Sequence, residues 1–265
     1  MTRRRSCDYS AVFDFLLQQV RLPKVQEVMS DFERAVFTTV ATKLRQVQHH
    51  GCNFHWCQAV MKKVRDLGLY TDFCRGGPIQ DAINFILTLP LLPANKIRAV
   101  FAFWTVELNL PVMSPLISYV NRNWVNGSCW CPEKWSVYNM AVRTDNDAEG
   151  KHHWWNSRGK GKKLSFYELT DHLYTIASEV PLIATLLAHD RIERYVRKSQ
   201  NEKNNIIYGL WDDYVAGKFN TYHLWEQLVA KLKTNLHAVY STLDDDDFCS
   251  EPYDYFDMDL PEPTY

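Results

Sequence analysis

Charge of one sign is what this sequence lacks most plainly. Across 265 residues, 30 Lys and Arg stand against 31 Asp and Glu, a formal net charge of -1. A chain wrapped over its whole surface by nucleic acid or by an anionic membrane is excluded by that balance. Long apolar runs are also missing. A membrane-crossing helix needs roughly 18 or more uncharged residues, and the most apolar stretch here, 82–104, is broken by Pro90, Pro93, Lys96 and Arg98. The first ten residues carry Arg3, Arg4 and Arg5 and no apolar segment of a secretory signal. The 7 cysteines, at 7, 52, 57, 74, 129, 131 and 249, form no even, regular framework. A soluble chain in a reducing compartment, with no membrane partner, is the expectation.

What is present is enough apolar material for a core, with 46% hydrophobic and 14% aromatic residues. The balanced charge hides a polar distribution: bases gather over 151–163, and acids at Asp244 to Asp247 and beyond. Tyr9, Val12, Phe13, Leu16, Leu17 and Val20 follow the helical period, and Pro23 ends that element. From Val25 the pattern turns to alternation, predicting a short strand that ends on Asp31. Ser30 or Asp31 is then placed to cap a helix over 32–44. A second short strand over 45–49 leads to Gly51. Phe54, Cys57, Val60, Met61, Val64 and Leu67 next resume helical spacing until Gly68. Strand, helix, strand, helix indicates an α/β layer.

From about 78 to 142 the sequence becomes proline-punctuated and apolar with little strand signal, the pattern of a helical insertion. Helices are expected over 166–180, 206–215 and 222–243, the last with Trp225, Leu228, Leu232, Leu236 and Val239 on one stripe. The tail 244–265 is acidic, proline-bearing and poor in aliphatic residues, so it is expected to be disordered, with its aromatics as anchors for protein partners.

Three groups of residues bear on chemistry. Asp31, at a strand end, and Glu149, at a turn before a helical stretch, are acids of the kind that hold divalent ions at the ends of α/β strands. The alternative is that each is an ordinary acid at a helix start, favoured by the macrodipole. Cys52 and His55, one turn apart with Cys57 nearby, offer half of a tetrahedral zinc set, with His152 or His153 as further ligands. The alternative is a packing role, with His55 bonding a backbone carbonyl. Cys129 and Cys131 have the wrong spacing for a zinc knuckle and read as a buried, reduced pair. Lys151, Arg158, Lys160, Lys162 and Lys163 present phosphate-binding charge, with Trp154 and Trp155 able to stack on bases. Against this stands a helix with one tryptophan packed inward, followed by a solvated basic loop.

The wording around the two acids carries a resemblance. Asp31, Phe32 and Glu33, followed by a helix, a strand and then Gly51, Cys52, Phe54, His55, Gln58 and Ala59, resemble the second catalytic segment of Mutator-like element transposases. Arg143, Thr144, Asn146, Glu149, Gly150, His152 and Asn156 resemble that family's third segment. Together with the helical insertion, the similarity covers roughly residues 9–198, followed by a helical segment to 243 and the acidic tail.

The resemblance implies an RNase H-like α/β remnant with a large helical insertion, predominantly helical overall. It also implies a nuclear, DNA-binding protein whose ancestral activity is Mg²⁺- or Mn²⁺-dependent cleavage and transfer of DNA strands. By the same resemblance Asp31 is the second acid of the family's Asp-Asp-Glu triad and Glu149 the third. The first acid of the family stands on an earlier strand; upstream of Glu27 the chain offers only Asp8 and Asp14, both beside or within the helical pattern. Little cleavage by this chain alone is therefore expected. A non-catalytic, nuclear protein-interaction module is the other function open at this point.

Overall fold

The computed structural model describes residues 5–19, 25–144, 165–189 and 198–240. The chain divides into two compact units, Met1–Thr144 with Ile207–Tyr265, and Asp145–Ile206.

In the first unit, α1 (Ser6–Gln19) lies against α2 (Arg34–Lys43). Three side-chain links tie the pair: Tyr9 donates to Glu33 at 2.8 Å, Lys43 meets Asp14 at 2.6 Å, and Thr39 donates to the Ser6 carbonyl at 3.3 Å. Between the two helices runs β1 (Glu27–Ser30), and after α2 comes β2 (Gln48–Gly51). The strands pair in parallel, Glu27 with Gln48 through Ser30 with Gly51. Parallel neighbours cannot be joined by a tight turn, and α2 supplies the crossover. These two strands are the only ones among the described residues, and the structure is predominantly helical.

Helix α3 (Asn53–Asp66) follows immediately and buries Trp56, Cys57, Val60, Met61 and Val64. Gly68, at φ 72°, turns the chain out of it, in a left-handed conformation that favours glycine. Then come α4 (Tyr70–Arg75), α5 (Pro78–Thr88), α6 (Ala94–Glu107), α7 (Ser114–Val120) with a π turn over Asn121–Val125, and α8 (Pro132–Trp135). The prolines of this region stand mainly where helices begin: Pro78, Pro115 and Pro132 occupy first-turn positions, where a missing N–H costs nothing. The bend after α5 is held from outside, because Val137 N–H donates to Pro90 at 2.8 Å and Ser136 Oγ to Leu92 at 2.7 Å.

The chain returns to this body late. Helix α10 (Lys198–Val215) brings Ile207 and Trp211 into the first unit's core, and α11 (Thr221–Tyr240) lies along α5. Trp211 donates to Leu91 at 2.9 Å; Trp225 donates to Phe85 at 2.9 Å and to Thr88 at 3.0 Å. A buried indole N–H usually finds an acceptor, and both of these do.

The second unit contains α9 (Phe166–Ala188). Ser165 and Glu168 form a reciprocal capping box at its start: Ser165 N–H donates to the Glu168 carboxylate at 2.8 Å, and Glu168 N–H to Ser165 Oγ at 3.3 Å.

Several sequence expectations are corrected in detail. Helix α2 begins at Arg34 with Glu33 at its cap position, so neither Ser30 nor Asp31 caps it. Ser30 Oγ is engaged with His49 instead, and the Asp31 carboxylate with His55. The second strand starts at Gln48, after a turn that closes with Val47 N–H on the Leu44 carbonyl. Helix α4 was not foreseen at all. Helix α9 runs eight residues past Val180, straight through Pro181, and α10 starts at Lys198 rather than 206. Cys129 and Cys131 are free, as expected, but partly exposed, not buried. Leu236 and Val239 lie on α11, where the side chains beyond Lys233 are outside the described set.

Candidate functional site

The C-terminal ends of β1 and β2 bring together the residues singled out around Asp31. Parallel pairing sets Ser30 beside Gly51, and Cys52 N–H donates to the Ser30 carbonyl at 2.9 Å, extending the pairing one step past the strands. Asp31 thus leaves β1 at the level where β2 becomes α3. The next residue, Phe32, is only 2% exposed, and its ring lies directly over Gly51. A Cβ on Gly51 would come within 2.2 Å of that ring. The Asp31–Phe32 segment and the Gly51–Cys52 segment therefore interlock, and glycine is required by close approach.

His55, in the first turn of α3, places Nδ1 at 3.1 Å from Asp31 Oδ1. The contact is short but is not an aligned hydrogen bond. Both side chains keep partial access to solvent, 17% for His55 and 32% for Asp31. Among the described residues His55 thus meets a carboxylate. A carboxylate on one ring nitrogen orients an imidazole.

Behind this pair sits a second histidine that the sequence reading passed over. His49 Nε2 lies 2.8 Å from Ser30 Oγ, and its ring stacks on Phe37 with centroids 3.7 Å apart. Burial pulls its pKa down to about 4, with smaller downward contributions from His50 and Lys134. His49 is therefore neutral at neutral pH. Through Ser30, whose Oγ also donates to the Asp31 carbonyl at 3.0 Å, it fixes the backbone at Asp31. His50, on the opposite face of β2, is likewise lowered by burial, with Glu27 opposing. Adjacent histidines in a four-residue strand were the available signal, since each had to face a different packed layer.

The segment that begins the third motif also reaches this place. Asn53 N–H, at the start of α3, donates to the Arg143 carbonyl at 3.1 Å. The Arg143 side chain is 9% exposed and lies over the rings of Tyr208 and Trp211, at 5.4 and 5.7 Å from their centroids. The first residue of that motif is thus an anchor in the core. Glu149, Lys151, His152, His153, Trp154, Trp155, Arg158, Lys160, Lys162 and Lys163 lie outside the described residues, as does the acidic tail.

Two metal chemistries were raised by the sequence. A hard divalent ion takes oxygen ligands, and Asp31 supplies one carboxylate toward such a set. A closed zinc site takes four N or S ligands; Cys52 is fully buried as the residue preceding α3, and His55 is turned to Asp31. Among the described residues no group of three or more His, Cys, Asp and Glu side chains is gathered to hold a metal. Asp31 alone thus fits a hard cation in part, and the described residues do not assemble the zinc set. Also among the described residues, no helix is long and apolar enough to cross a membrane.

Comparisons of the chain with protein families, with curated proteins and with solved structures return no match.

Proposed function

We propose that this chain is a DNA-binding protein derived from a Mutator-like element transposase, nuclear, with β1, α2, β2 and α3 as the remnant of an RNase H-like layer. The observation that carries the reading is the end of β1. An acid stands just past a parallel strand, at the edge where open α/β sheets bind their ligands, and the two ends of the one stretch that resembles the family's second segment interlock there through Phe32 and Gly51. Asp31 is the retained metal-binding carboxylate in this reading, His55 holds it in place, and Glu149 is assigned by the resemblance alone. A bound Mg²⁺ or Mn²⁺ would supply Lewis-acid stabilisation of a phosphodiester. His55 orients the Asp31 carboxylate, and Ser30 with neutral His49 fixes the backbone that presents it. DNA contact falls to Lys151, Arg158, Lys160, Lys162 and Lys163, with stacking by Trp154 and Trp155.

Binding and cleavage are tested separately. Affinity for a labelled duplex should fall linearly in log–log form with salt, losing about 0.9 of slope for each phosphate contact removed, so Lys160→Ala with Lys162→Ala should flatten the slope. Salt-independent binding, or none, overturns the DNA-binding reading. Nicking in Mg²⁺ or Mn²⁺ should be weak or absent; any that is seen must vanish in Glu149→Gln and in Asp31→Asn, and nicking that survives both overturns their assignment.

A further inference from the structure

A fully buried amide on α5 is left without use. Asn84 is 0% exposed, and neither its Oδ1 nor its Nδ2 has a hydrogen-bond partner. Its backbone carbonyl is satisfied, accepting the Thr88 hydroxyl at 3.0 Å, so the shortfall lies in the side chain alone. Native interiors keep few such groups. An amide taken out of water without replacement bonds loses hydration at both atoms, and each loss disfavours the closed state by roughly tenfold.

The position of Asn84 makes that cost local. Residues four apart share a helix face, and Thr88, one turn on, accepts the Trp225 indole of α11 at 3.0 Å. The face that carries Asn84 therefore lies under α11. Moving α11 away returns the amide to water and leaves α3 and its tryptophan neighbours packed. What opposes the movement is concentrated near one turn of α11. Trp225 makes two bonds to α5 and sets its ring against Phe85 and Trp104, with buried Leu224 and Leu228 beside it.

The chain also has a place to bend. Helix α10 is anchored apart from α11, by the Trp211 bond to Leu91 and by the Arg143 guanidinium over the Trp211 ring. In the turn that follows, the N–H groups of Ala216, Gly217 and Lys218 all bond back to α10. From Asn220 onward the bonds belong to α11. The Asn220 side chain accepts the His223 N–H at 2.9 Å, and its carbonyl accepts the Leu224 N–H at 2.9 Å. Phe219 is where the two sets part, spanned by the Tyr214 and Thr221 hydroxyls at 3.0 Å.

We infer that α11 is a strap that opens as a unit on the folded protein, hinged at Phe219, held shut by Trp225 and driven toward opening by the dehydrated amide of Asn84. Opening bares the Phe85 and Thr88 side of α5 together with the Leu224, Trp225 and Leu228 side of α11. Apolar surface thus becomes available without unfolding of the core. The strap is independent of the proposed DNA binding.

Amide hydrogen exchange on the full chain, corrected for intrinsic rates, tests it. The backbone amides of α11 should exchange as one group, roughly tenfold or more faster than those of α3. They should also depend less on added urea, because only part of the surface is exposed in the opening. Asn84→Leu, close in shape and apolar, should slow the α11 group roughly tenfold or more. Asn84→Val, smaller than leucine, repeats that test without crowding, and Asn84→Asp, which places a charge at the same point, should speed the group. Exchange of α11 only together with α3, with the same urea dependence, overturns the strap. An α11 group that neither apolar variant slows, as when an internal water already serves the amide, overturns the part assigned to Asn84.

Discussion

The aromatic cluster of the first unit and the helix Phe166–Ala188 are built from similar residues and meet opposite fates. Trp56, Trp124, Trp135 and Trp225 are each 0% exposed, locked edge-to-face and stacked among Phe32, Phe85 and Trp104. Phe166, Tyr167 and Tyr174 are 73%, 82% and 76% exposed. Burial follows from partners, not from composition. In the core every large ring finds a complementary surface, and the indoles of Trp135, Trp211 and Trp225 find carbonyls as well. On α9 the same kind of side chain stands exposed.

Substitutions should separate the two regions sharply. Trp225→Ala removes a fully buried indole with its two hydrogen bonds to α5 and should cost about 3–5 kcal/mol, visible as a large fall in Tm; a small fall would mean that α11 is not integral to the core. Gly51→Ala forces a methyl into the Phe32 ring and should cost about 1–3 kcal/mol as overpacking. Adding Phe32→Leu should recover part of that loss, and no recovery would place the strain elsewhere.

His49 makes a smaller, pH-dependent contribution. Its pKa is lowered to about 4 in the fold from 6.5 in the unfolded chain. Between those values the unfolded state binds more protons, so stability falls as pH drops through 6.5 toward about 4 and is fully present above 6.5. Lys134 and His50 face the ring and act in the same sense. In His49→Asn that part of the pH dependence should disappear from urea midpoints taken across this range. At the other extreme, Tyr174→Ser, on the exposed helix, should change stability by less than about 0.5 kcal/mol.

Sequence periodicity was a good guide where one element decides its own fate. Helices α3 and α11 were legible from their apolar stripes, and Gly68 from the need to leave a helix. Asp31 at a strand end was legible too, because alternation stops there. What was hidden depends on neighbours. The pairing of Asp31 with His55 exists only because β1 and β2 lie in parallel register. His49 gave no sign that it would stack on Phe37 and bond Ser30. Helix α4 is six residues long, too short for a period to register. Pro181 reads as a stop, but the backbone carries the helix through it. Arg143 read as the first residue of a charged motif; only the tertiary fold shows its guanidinium held over two rings.

The bond from Trp225 to Phe85 joins residues 140 apart in sequence. During synthesis at about 5–20 residues per second, α5 stands without Trp225 for roughly 7–28 s after Phe85 is made. Thr88, buried in the finished protein and bonded to Trp225, spends that interval without this partner. The insertion thus closes as a late event, and the last described helix acts as a latch whose arrival dates the completion of the fold.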